Sequence, residues 1–121
     1  MGADGHIQIY DLDKIEDEFD EEVVTSFFDH FGSSVMYRQQ LRGKKYLTRY
    51  WGDNLYSDDM YSVVRVCYDP KTDTFNTKNY NYDSYAGDYF MKLSKEQRTQ
   101  FVYMIEFIEE RCRLTDWEVW T

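Results

Sequence analysis

Apolar residues recur along this chain with two different periods, and each period predicts an element. At residues 6–10, Ile7 and Ile9 alternate with His6, Gln8 and Tyr10, which predicts a short strand after the Asp4-Gly5 turn. From residue 13 the spacing changes to four: Ile15, Phe19, Val23, Phe27 and Phe31, with Val24 and Phe28 beside them. That is the stripe of one amphipathic helix over 13–31, or of two short helices meeting near Asp20. Asp11 or Asp13 can cap the start, acids in the first turns suit the positive end of the helix dipole, and Gly32 supplies a stop.

Further along, residues 34–41 and 45–51 predict a hairpin turning through Arg42-Gly43-Lys44. One strand sets Val35, Tyr37 and Leu41 on a common face, and the other sets Leu47 and Trp51 opposite Tyr46 and Tyr50. Residues 52–60 are polar and predict a loop. Residues 61–68 are β-branched and aromatic and predict a central strand. Asp69-Pro70-Lys71-Thr72 has turn chemistry, and Thr74 to about Lys78 is expected to return as a partner strand. The Tyr/Asn/Asp/Gly segment 79–90 predicts a loop or edge strand. Ser94-Lys95-Glu96-Gln97 is a capping box, opening a helix to about Cys112 with Phe101, Met104, Ile105 and Ile108 on its apolar side. The tail 116–120 alternates and predicts a last strand. The elements add up to an α+β fold: an antiparallel or mixed sheet of five to six short strands, with two main helices packed on one face. One compact domain over residues 1–121 is the simplest organisation, since the chain has one proline, few glycines and no repeat.

Composition sharpens this picture in two respects. Apolar residues at 42% can build a core, and aromatics at 19%, with 12 Tyr, argue against a disordered chain. Cys67 and Cys112 are too few for a secreted disulfide scaffold and are expected to be reduced core residues. Residues 1–10 lack the basic start and apolar run of a signal peptide, and His6 stands where a myristoylation signal needs Ser or Thr. No run approaches the roughly 18–20 apolar residues of a membrane span. A soluble, cytoplasmic protein is the expectation.

Charge is the stronger departure. The net −9 is concentrated: residues 1–31 carry ten acids against Lys14 alone, whereas residues 32–50 carry Arg38, Arg42, Lys44, Lys45 and Arg49 and no acid. Residues 51–121 add thirteen acids and eight bases. A field of this sign opposes nonspecific binding to nucleic acid or anionic membranes.

Candidate chemistry follows from that pattern. Asp11, Asp13, Asp17 and Glu22 match some positions of a calcium loop, but Ile15 and Phe19 fall on ligand positions and Glu16 stands where glycine is required. Calcium is therefore not expected. Densely spaced carboxylates on a helix rising about 1.5 Å per residue can instead imitate the line of charge on a DNA backbone. Like charges at Asp13/Asp17, Asp17/Glu21 and Glu18/Glu22 weaken a continuous helix, which a functional role would explain. The bases from Arg38 to Arg49 are interleaved with Tyr37, Tyr46, Tyr50 and Trp51, as in a groove for single-stranded nucleic acid. Neutralising the acidic helix, within the fold or between subunits, is the preferred role for them. Tyr80, Tyr82, Tyr85 and Tyr89 offer recognition surface or half-buried packing in equal measure. His6 with Asp4, His30 with Asp29, and Asp53 with Asp58 and Asp59 are weak pairings of sequence neighbours. Phosphate-loop, dinucleotide, zinc-protease, paired-cysteine and nucleophile-elbow motifs are absent from the sequence.

The expected function is a non-enzymatic, protein-binding module with no catalytic residue, metal or cofactor. Asp13, Asp17, Glu18, Glu21 and Glu22 would supply the charge, and Tyr80, Tyr82 and Tyr85 the anchors. The expected partner is a basic, nucleic-acid-handling protein. Small viral inhibitors of CRISPR or restriction systems share this character by composition alone. Direct nucleic acid and membrane are not expected partners. Two alternatives remain: a small-ligand or nucleotide binder, or enzyme, with an aromatic-lined pocket, and a homo-oligomer joining the basic segment of one copy to the acidic segment of another.

Overall fold

The computed structural model describes residues 4–31, 36–52, 60–76 and 85–120. The chain falls into two compact units, residues 1–56 with 107–121 and residues 57–106. The fold class is α+β, as the periodicities predict. Among the described residues no helix is long and apolar enough to cross a membrane.

The first unit is built on an antiparallel four-stranded sheet. Its strands are β1 (Asp4–Asp11), β2 (Met36–Leu41), β3 (Lys44–Gly52) and β6 (Arg113–Trp120), in the order β2-β3-β1-β6. The terminal strand begins at Arg113, earlier than its alternation implies, and pairs along the length of β1. In chain order the unit runs strand, two helices, two hairpin strands, a π-helical turn and a last strand. Turn chemistry sets the hairpin register. Arg42 (φ 53°) and Gly43 (φ 81°) are both left-handed, as a two-residue type I′ turn requires, and Leu41 pairs directly with Lys44.

Between β1 and β2 the amphipathic stretch is two helices, α1 (Leu12–Glu18) and α2 (Glu21–Phe31). Phe19 is extended (φ −122°, ψ 148°) and separates them, at the junction anticipated near Asp20. Asp11 caps α1 by accepting from the Lys14 amide at 3.1 Å. Their stripe buries Leu12, Ile15, Val24, Phe27, Phe28 and Phe31. Phe27 stacks on Phe31 at 4.7 Å, and Phe19 meets Phe107 edge-on at 5.4 Å.

Within this unit α1 and α2 pack on one face of the sheet, and it is the polar-looking one. Gln8, Tyr10, Leu47 and Arg49 are buried, while Ile7 and Ile9 on the opposite face are half-buried. Burial of Gln8 and Arg49 is tolerable because the groups satisfy one another. Arg49 Nη1 donates to Gln8 Oε1 at 3.3 Å, and the Tyr10 hydroxyl lies 2.7 Å from both Gln8 Oε1 and Glu109 Oε2. Glu109 reaches Tyr10 from a π-helical turn, Ile108–Cys112, that follows the last α-helix. Cys112 on that turn is fully buried, and burial pushes its thiol up to about 11.

The second unit departs from the sequence expectation at two places. Residues expected to form a central strand form a helix, α3 (Met60–Cys67), followed by the two-residue strand β4 (Tyr68–Asp69). The burial pattern explains why. Tyr61, Val63, Val64 and Cys67 are buried and Arg65 and Val66 are both exposed, which is a helical stripe and not an alternation. Packing thus outweighs the β preference of valine. The return strand β5 is also only two residues (Thr74–Phe75), so β4 and β5 form a separate small sheet. The end of the tyrosine-rich segment is likewise helical, α4 (Tyr85–Met91), where a loop or edge strand was expected. A Cβ on Gly87 would stand 2.6 Å from the Phe75 ring, so this helix approaches the hairpin as closely as glycine allows. Phe90 is fully buried and meets Tyr68 edge-on at 4.9 Å. Helix α5 (Lys95–Phe107) starts at the expected capping box: Gln97 N–H donates to Ser94 Oγ at 3.2 Å and Ser94 N–H to Gln97 Oε1 at 3.3 Å. Five α-helices are present among the described residues, more than the two main ones anticipated.

Candidate functional site

The acidic helices and the basic hairpin meet within the first unit, and their pairing decides which charges remain available. Lys44 Nζ lies 3.3 Å from Asp11 Oδ2. Lys45 pairs with Glu16 through its ammonium, and its backbone N–H donates to Asp13 Oδ2 at 3.1 Å. The hydrogen bond that Lys45 donates to Glu16, with the fields of Glu16, Asp13 and Asp17, raises the Lys45 pKa above its ordinary value despite some desolvation. Arg38 stacks over the Phe28 ring at 5.0 Å, and Arg49 is buried beside Gln8. Four of the five hairpin bases are therefore engaged inside this unit.

The same pairing sorts the carboxylates. Asp11, Asp13 and Glu16 hold the hairpin against α1, so Asp13 is a structural anchor here. Asp17, Glu18, Asp20, Glu21, Glu22 and Asp29 are all exposed, and among the described residues their side chains have no ion-pair or hydrogen-bond partner. The break at Phe19 puts Asp17 and Glu18 on α1 and Glu21 and Glu22 on α2. Two of the three like-charge pairs counted on a continuous helix therefore straddle the break, and the third includes the engaged Asp13. Crowding on one helix is thus not the strain that the sequence implied.

A different electrostatic cost takes its place. Glu21 and Glu22 sit in the first turn of α2, where the helix dipole favours anions. Asp17 and Glu18 sit in the last turn of α1, which has no basic residue, and there the dipole opposes them by about 0.3–1 kcal/mol each. On α2, Glu21, Glu22, Thr25, Ser26 and Asp29 line a shallow open depression. Glu21, Thr25 and Asp29 recur every four residues, so this stripe runs about 12 Å along the helix.

The remaining sequence candidates are dispersed. Tyr80, Tyr82, Asp53, Asp58 and Asp59 lie outside the described residues, as do the side chains of Tyr85 and His6. Tyr89 is 47% exposed on α4. His30 Nδ1 donates to the Ser26 carbonyl at 2.8 Å, a bond within its own helix. Asp11 and Asp13 are turned to the hairpin and Glu22 lies on the next helix. Among the described residues no three of His, Cys, Asp and Glu gather as metal ligands. Both cysteines are free and buried.

The second unit contains a polar cluster that the sequence did not announce. Arg98 Nε and Nη2 donate to the two carboxylate oxygens of Asp73 at 3.0 and 2.8 Å, and Tyr68 donates to Asp73 Oδ1 at 2.6 Å. Arg98 Nη1 also donates to the carbonyls of Met91 (3.2 Å) and Leu93, closing the end of α4. The Arg98 and Tyr68 hydrogen bonds hold the Asp73 carboxyl below the ordinary carboxylate range, and burial pushes the Tyr68 phenol up. Asp73 itself is left-handed (φ 53°). Every donor of this cluster has a partner and the cluster joins the turn to two helices, so its role is a clamp. One signal was present: Arg98 lies three residues before Phe101 on the apolar stripe, where a charge needs a buried partner.

Comparisons with protein families, with curated proteins and with solved structures find no match to this chain.

Proposed function

We propose that this protein is a non-enzymatic binding module that presents the acidic surface of α1 and α2 to a basic, nucleic-acid-handling protein. The observation that carries this is the selective pairing of charge. The hairpin engages Asp11, Asp13 and Glu16 and leaves Asp17, Glu18, Asp20, Glu21, Glu22 and Asp29 exposed, with no ion-pair or hydrogen-bond partner among the described residues. A solvated helix face accounts for Glu21 and Glu22, whose position favours folding. It does not account for Asp17 and Glu18, which stand against the dipole of α1. Residues kept at a cost to folding are characteristic of recognition sites. Asp17, Glu18, Glu21 and Glu22 steer the partner, and tyrosines of the 80–89 segment serve as anchors. A viral inhibitor of a host nuclease, CRISPR or restriction complex is the biological role that such a face fits.

The test is affinity capture from the native cell or its host, with nuclease treatment as a control. The bait is the intact protein or a variant carrying Asp17→Lys, Glu18→Lys, Glu21→Lys and Glu22→Lys. Recovery of a basic protein by the wild type, lost with the variant and insensitive to nuclease, supports the proposal. Equal recovery by the two baits defeats it.

A further inference from the structure

We draw no further inference here: the strongest candidate, the groove that Ile9, Leu41, Tyr46 and Thr48 line with Gln39 and Gln40 on the largely apolar face of the four-stranded sheet, carries nothing because nothing in the structure shows what covers that face.

Discussion

Replacing Arg98 by methionine keeps the aliphatic stem in the core and removes the guanidinium. Four hydrogen bonds are lost: two to Asp73, and one each to the carbonyls of Met91 and Leu93. Breaking a fully buried ion pair costs about 3–5 kcal/mol. Here the Arg98 side chain is 10% exposed but that of Asp73 is 27%, so the abandoned carboxylate recovers part of its hydration. The two carbonyls end a helix and also regain water. A loss of about 2–3 kcal/mol is expected, near the value for a single hydrogen bond to a charged group. Urea unfolding followed by far-UV circular dichroism measures it as a lower midpoint at unchanged slope. Because Asp73 titrates below its ordinary value in the native state, its contribution is complete only above about pH 5, where the unfolded carboxyl is also ionised, and is lost as pH falls through that lower native value. The wild-type advantage over Arg98→Met should therefore shrink between pH 5 and pH 2, in roughly the window of carboxylate titration. A change below about 0.5 kcal/mol at neutral pH, the range of ordinary surface substitutions, would show that the clamp is decorative.

Three other outcomes follow from the geometry. Gly87→Ala gains about 1 kcal/mol of helix propensity but drives a Cβ into the Phe75 ring, an overpacking cost of about 1–3 kcal/mol; the melting temperature should fall, and a rise would show the contact to be soft. Glu18→Lys should stabilise the fold by about 0.3–1 kcal/mol in low salt, through the dipole of α1, and a loss of stability would remove the argument that this carboxylate is retained at a cost. With its thiol pushed up to about 11, Cys112 should resist a disulfide reagent at pH 8 until the protein unfolds. Above about pH 9 the native state holds a proton that the unfolded state releases, so stability should fall toward pH 11, by about 2–3 kcal/mol at most, and Cys112→Ala should flatten that decline. Rapid labelling of the native thiol, or an identical decline in the variant, would contradict the burial assigned to it.

Local chemistry was readable from the chain itself. The Asp11 cap, the Ser94–Gln97 box and the left-handed Arg42-Gly43 turn each form within four residues, so neighbours in sequence suffice to specify them. The α+β class, an amphipathic stretch over 13–31 (one helix, or two meeting near Asp20) and a terminal strand followed from periodicity, because a strand and a helix need different spacings of apolar residues. Long-range pairings were settled by the tertiary structure alone. Residues 61–67 are apolar enough for either strand or helix, and only the exposure of both Arg65 and Val66 decides for the helix. Arg98 finds Asp73 across 25 residues, and Lys45 finds Glu16 across 29. Gln8 can line the core only because β3 places Arg49 opposite it. Sequence fixes which groups carry charge or apolar surface, since that is covalent chemistry. Which charges cancel depends on distances of a few ångströms between distant segments, and those exist only once the chain has folded.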